Sequence, residues 1–87
     1  MEYTPKIKKA ALVHGVYYRG RSRNATIARW DGQAEHFVHW RTKFNFRYLE
    51  AIKCPEDDDR FDVFVAEEAM ADGDIPEDQT INLGTNI

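Results

Sequence analysis

Apolar and polar positions alternate along AALVHGVYY, residues 10–18, where Val13, Gly15 and Tyr17 fall on one side of an extended chain and Leu12, His14, Val16 and Tyr18 on the other. The pattern predicts a first strand, with Gly15 marking a bulge or a close approach of backbone. It breaks at RGRSRN, residues 19–24, a basic turn, and resumes in ATIARW, residues 25–30. Asp31-Gly32 is a strong hairpin signal because both residues tolerate positive φ, and the β-prone run QAEHFVHWRTKF follows it to Phe44. Of the registers open to this hairpin, a three-residue loop is preferred. It sets Arg29 opposite Glu35 and Ile27 opposite Phe37, joining opposite charges and apolar partners together. That register places Thr26, Ala28 and Trp30 on one face with His36, Val38 and Trp40.

The period changes after Phe44. Phe46, Leu49 and Ala51 or Ile52 recur at three to four residues, which predicts a helix of two to three turns from Asn45 to Cys54, capped by Asn45 and stopped by Pro55. The acidic connection PEDDDR leads to FDVFVAE, where Phe61, Val63 and Val65 alternate with Asp62 and Phe64 as a last strand. The remainder mixes Asp, Gly, Pro and Asn with isolated apolar residues, and QTINL fits either an edge strand or a loosely held tail. These elements predict an α+β fold: a small, mostly antiparallel sheet of about four strands in β-β-β-α-β order, with one short helix packed on one face. The whole of residues 1–87 is read as a single domain, with a polar lead-in over 1–9 and a loosely ordered or edge-strand tail over about 70–87. Ile27, Phe37, Phe46, Leu49, Ile52, Phe61, Val63 and Val65 form its expected core.

Composition narrows the classes. One cysteine, Cys54, permits no internal disulfide and no thiolate cluster, so the fold must hold without staples. No run approaches the roughly 20 apolar residues that span a bilayer, and the opening MEYTPKIKKA lacks the apolar stretch of a secretory signal, so a cytoplasmic location without membrane contact is expected. The net charge of −3 conceals a division. Residues 1–53 carry eleven Lys/Arg against four Asp/Glu, and residues 54–87 carry one against eleven. The halves either neutralise each other within one domain or offer faces of opposite sign to a partner or a second copy.

The candidate chemistry is sparse. Arg19, Arg21 and Arg23 alternate, and with Arg29, Trp30 and Arg41 they form the expected nucleic-acid surface, cations for phosphates and rings for unpaired bases. The competing reading is a solvated turn, where Arg is common. Tyr18, Trp30, Trp40 and Phe64 are the expected protein interface, because one helix leaves a sheet face with large rings uncovered. His36 and His39 stand three apart in a strand and point to opposite faces, so no metal site is expected. No catalytic set, phosphate loop or cofactor motif emerges from Cys54 or the carboxylates.

The functional expectation is a non-enzymatic protein-binding or regulatory module acting through a sheet surface, as a homodimer or on a separate protein partner. The alternatives are a nucleic-acid binder that uses the Arg19–Arg23 turn, an acidic nucleic-acid mimic, or a small enzyme.

Overall fold

The computed structural model describes residues 7–23, 25–57 and 62–81. Five strands form one antiparallel sheet: β1 (Tyr17–Arg21), β2 (Ile27–Asp31), β3 (His36–Lys43), β4 (Phe46–Ile52) and β5 (Val65–Ala69). Their order across the sheet is β4-β3-β2-β1-β5, so the strand nearest the start of the chain lies between β2 and the last strand. The sheet is rolled. Lys53, just past β4, forms a parallel bridge with Val63, just before β5, although β4 and β5 are opposite edges of the sheet. Right-handed strand twist brings the two edges together at this corner.

The α+β expectation is overturned. No α-helix occurs among the described residues, only three-residue 3-10 turns at Lys9–Ala11, Asp72–Asp74 and Glu77–Gln79. The segment expected to be helical is β4, paired with β3 along its length from Phe37↔Ile52 to Lys43↔Phe46. Phe46, Leu49 and Ile52 match a helical stripe, but Phe46, Tyr48, Glu50 and Ile52 equally match one face of a strand. Asn45 decides between these alternatives. It takes φ 69° after Phe44 at φ 53°, closing a two-residue hairpin between Lys43 and Phe46 rather than capping a helix.

The register expected for the Asp31-Gly32 hairpin is also corrected. The ladder pairs Arg29 with Val38, Trp30 with Phe37 and Asp31 with His36, leaving the four residues 32–35 as the loop. The Asp31 carboxylate accepts the N–H groups of Gln33 (3.0 Å) and Ala34 (3.1 Å), its carbonyl accepts the Glu35 N–H (2.8 Å), and Glu35 turns through φ 60°. Trp30 and Ala28 therefore share a face with Phe37, and Trp40 lies on the other face. The first strand begins later than expected, at Tyr17, so Arg19 and Arg21 lie inside the ladder instead of in the turn. The last strand lies over Val65–Ala69; Phe61, expected at its start, is outside the described residues, as are residues 82–83 of QTINL.

The concave face holds the main core. Phe37 sits at its centre, with Trp30 at 4.9 Å, Phe64 at 4.7 Å and Tyr18 at 6.2 Å between ring centroids, and Ala28, Ile52, Cys54 and Ala66 complete the cluster. Tilted and edge-on contacts of this kind add to the free energy of burial. Gly20 makes the β1–β5 junction: a Cβ there would meet the Val65 carbonyl oxygen at 2.1 Å and the Phe64 ring at 2.8 Å. Part of the other face is covered by the chain itself. Residues 70–81 cross it and bring Met70, Ile75 and Ile81 onto Tyr17, Ile27, Val38 and Trp40.

Candidate functional site

The arginines expected to bind nucleic acid do not form one surface. Arg19 and Arg21 project from β1 to the side of Glu68 (3.6 Å) and Glu67 (2.8 Å). Arg23 is exposed beyond the end of that strand. Arg29 is half-buried, gives a hydrogen bond to the Ile81 carbonyl and stacks over the Tyr17 ring at 5.1 Å. Among the described residues its Nε is buried without an acceptor. Arg41 lies on the opposite face of the sheet, where one amino group reaches both Glu50 carboxylate oxygens at 2.8 and 3.0 Å. The two charge halves thus meet at the β1–β5 ladder.

Of the rings expected at an interface, Tyr18, Trp30 and Phe64 lie in the core. Trp40 is half-buried on the other face; its indole N–H donates to the Thr80 carbonyl at 3.3 Å and Arg47 stacks on its ring at 4.6 Å.

The large apolar side chains open to solvent lie elsewhere. Phe44 is 80% exposed, Phe46 74% and Leu49 46%, all on the β3–β4 hairpin, while Val13 is exposed by itself ahead of β1. Phe46 and Leu49 were expected in the core; with no helix to turn them inward, they stand on the outer part of β4, beyond the Phe37 cluster. Residues 41–47, RTKFNFR, carry three cations and no anion. Because the Arg41 charge is matched by Glu50, Lys43 and Arg47 supply the net positive character of the tip. Lys43 lies 5.4 Å from the Phe44 ring centroid. Phe44 itself occupies the left-handed region, which costs a bulky residue about 1–2 kcal/mol. Strain held in an exposed ring is the kind of local conflict that function retains. The sequence signal for this site was Asn between two Phe inside an alternating run, a turn signal hidden by the apparent helical spacing.

The titratable groups elsewhere serve the fold. The Lys9 ammonium reaches Asp57 at 2.9 Å and Glu35 at 3.1 Å, and these hydrogen bonds raise its pKa while tying the lead-in segment to two loops. Lys9 and Glu35, with Glu56 and Trp30, also line a shallow depression of about 500 Å³. His39 is fully buried, with Nδ1 3.1 Å from the Trp40 carbonyl and Nε2 3.7 Å from Glu50. His36 is on the other face, and His14 Nδ1 accepts the Gly32 N–H at 2.9 Å. Among the described residues no group of three or more His, Cys, Asp or Glu converges to hold a metal ion. Burial pushes the Cys54 thiol up to about 12, with the charges of Glu56 and Asp57 adding to the effect. No helix among the described residues is long and apolar enough to cross a membrane.

No protein-family model, curated protein or solved structure matches this chain.

Proposed function

We propose that the chain is a non-enzymatic protein-binding module whose contact element is the β3–β4 hairpin. The observation that carries this reading is the exposure of Phe44 and Phe46 at a two-residue turn, flanked by Lys43 and Arg47. Exposed aromatic anchors with a basic rim are the composition of an interface centre, since rings bring much apolar area at little entropic cost. The sheet behind the hairpin is packed by the Phe37 cluster on one face and by the strap of residues 70–81 on the other, so the anchors are presented without a folding step.

Single-stranded nucleic acid is the second reading, favoured by the same pairing of rings with Lys43 and Arg47. It has less support, because Arg19, Arg21 and Arg41 each lie against a carboxylate and few cations remain to follow a phosphate backbone.

Affinity capture from the native cell extract, comparing the full chain with a Phe44→Ser/Phe46→Ser variant of unchanged melting temperature, tests the proposal. A defined protein depleted at least tenfold by the variant is expected. Identical capture by both chains would overturn the assignment.

A further inference from the structure

The two edges of the sheet are treated differently. At β5 the lead-in segment covers part of the edge, where the Ile7 N–H donates to the Ala66 carbonyl at 3.2 Å. At β4 the chain pairs only at one end. The Lys53 carbonyl accepts the Phe64 N–H at 2.9 Å within the parallel bridge to Val63. Lys53 therefore turns its backbone groups away from β3. Backbone direction alternates along a strand, so Ala51, Leu49 and Arg47 turn theirs outward too. Phe46, Tyr48, Glu50 and Ile52 bond to β3, in keeping with Lys43 and Phe46 closing the two-residue turn. Among the described residues, nothing pairs with the outward groups of Arg47, Leu49 and Ala51.

Natural edge strands are usually shortened, bulged or blocked by charge. Here the outward residues are Arg47, Leu49 and Ala51, all exposed, and Phe46 is exposed on the other face. Charge selects the occupant. The β4 edge and its turn present Lys43, Arg47 and Lys53, while the one acid, Glu50, is held by Arg41 at 2.8 Å.

We infer that β4 accepts an extended acidic peptide segment of a partner protein as a sixth strand, a mode that rests on the protein-binding reading of the hairpin. Backbone hydrogen bonds to Arg47, Leu49 and Ala51 supply affinity, and side chains alternate to supply selectivity. On the face of Arg47 and Lys53 the segment carries Asp or Glu. On the face of Phe46 and Tyr48 it carries apolar residues.

Fluorescence anisotropy with the full chain tests this using synthetic ten-residue peptides: alternating Asp and Val, alternating Lys and Val, and the Asp-Val peptide N-methylated at every second backbone nitrogen in either of two frames. Oligothymidylate is the nucleic-acid control. The Asp-Val peptide is expected to bind at least tenfold more tightly than the Lys-Val peptide, and to lose at least tenfold on Arg47→Glu. Methylation in one frame abolishes binding and in the other leaves it within about threefold, because only alternate N–H groups point at β4. Equal behaviour of the two frames overturns strand addition, as does equal binding of the Lys-Val peptide or no peptide binding at all. If capture of a cell protein still depends on Phe44 and Phe46 in those cases, the hairpin remains a protein-binding element and only the mode fails. Binding of oligothymidylate alone overturns both readings.

Discussion

The Tyr17 hydroxyl donates a 2.8 Å hydrogen bond to the Ile81 carbonyl and accepts the Ile81 N–H, joining the first strand to a residue 64 positions away. Both partners are buried. Replacing Tyr17 by Phe keeps the ring but leaves the Ile81 N–H without an acceptor; Arg29 still serves the carbonyl. The expected cost is about 1–3 kcal/mol, read as a melting temperature lower by several degrees. An unchanged melting temperature would show that the strap contributes little to stability.

Phe44 sets stability against binding. Phe44→Asn places at φ 53° a residue that tolerates the left-handed region, so the variant is expected to gain up to about 1 kcal/mol in urea unfolding. The same change removes the most exposed ring of the hairpin. A more stable protein with at least tenfold weaker partner capture is the expected pair of results; a more stable protein with full capture would show that the strain serves no contact.

Gly20 leaves no room for a side chain. In Gly20→Ala the new Cβ would press on the Val65 carbonyl and the Phe64 ring. The β1–β5 ladder must shift, at a cost of about 3 kcal/mol or more. Circular dichroism melts are expected to show a broad or much lower transition; a native-like melt would mean that β5 slides freely.

Cys54 predicts a response to alkali. Its folded pKa, about 12, lies above that of an unfolded thiol at about 8.5. The contribution is thus complete below about pH 8.5 and is lost as pH rises toward 12. Tyrosines and lysines titrate in the same range, so the useful quantity is the difference in urea midpoint between wild type and Cys54→Ala. That difference is expected to narrow from pH 8 to pH 11. A constant gap would place the thiol in contact with water.

The strands around Tyr17, Ile27, Phe37 and Val65 were legible because their runs are rich in β-branched and aromatic residues and are bounded by turn residues, although only the Ile27 strand alternates in burial and the others bury neighbouring residues on both faces. β4 was not, because its outer half is exposed on both faces and only its Phe46-Leu49-Ile52 spacing stood out. Asp31-Gly32 located a turn correctly, yet its length depended on a carboxylate that collects two backbone N–H groups, a local bond no pairing rule anticipates. The pairing of Arg19 with Glu68 and Arg21 with Glu67 depended on strand order, which is a long-range property. The hairpin site was missed with β4: once Asn45 is read as a turn, Phe44 and Phe46 become its exposed flanks.

The position of β1 between β2 and β5 has a consequence for how the chain reaches this state. β1, β2, β3 and β4 form a continuous meander whose neighbours in sequence are neighbours in space, so they can zip locally and early. The β1–β5 ladder, Tyr18↔Ala69 to Arg21↔Val65, requires closure of a loop of more than forty residues and comes late. Until then β1 presents an open edge carrying two arginines, and the concave cluster lacks Phe64 and Ala66. During synthesis the emerging meander must wait for the acidic half, whose glutamates complete the sheet and neutralise the edge it leaves uncovered.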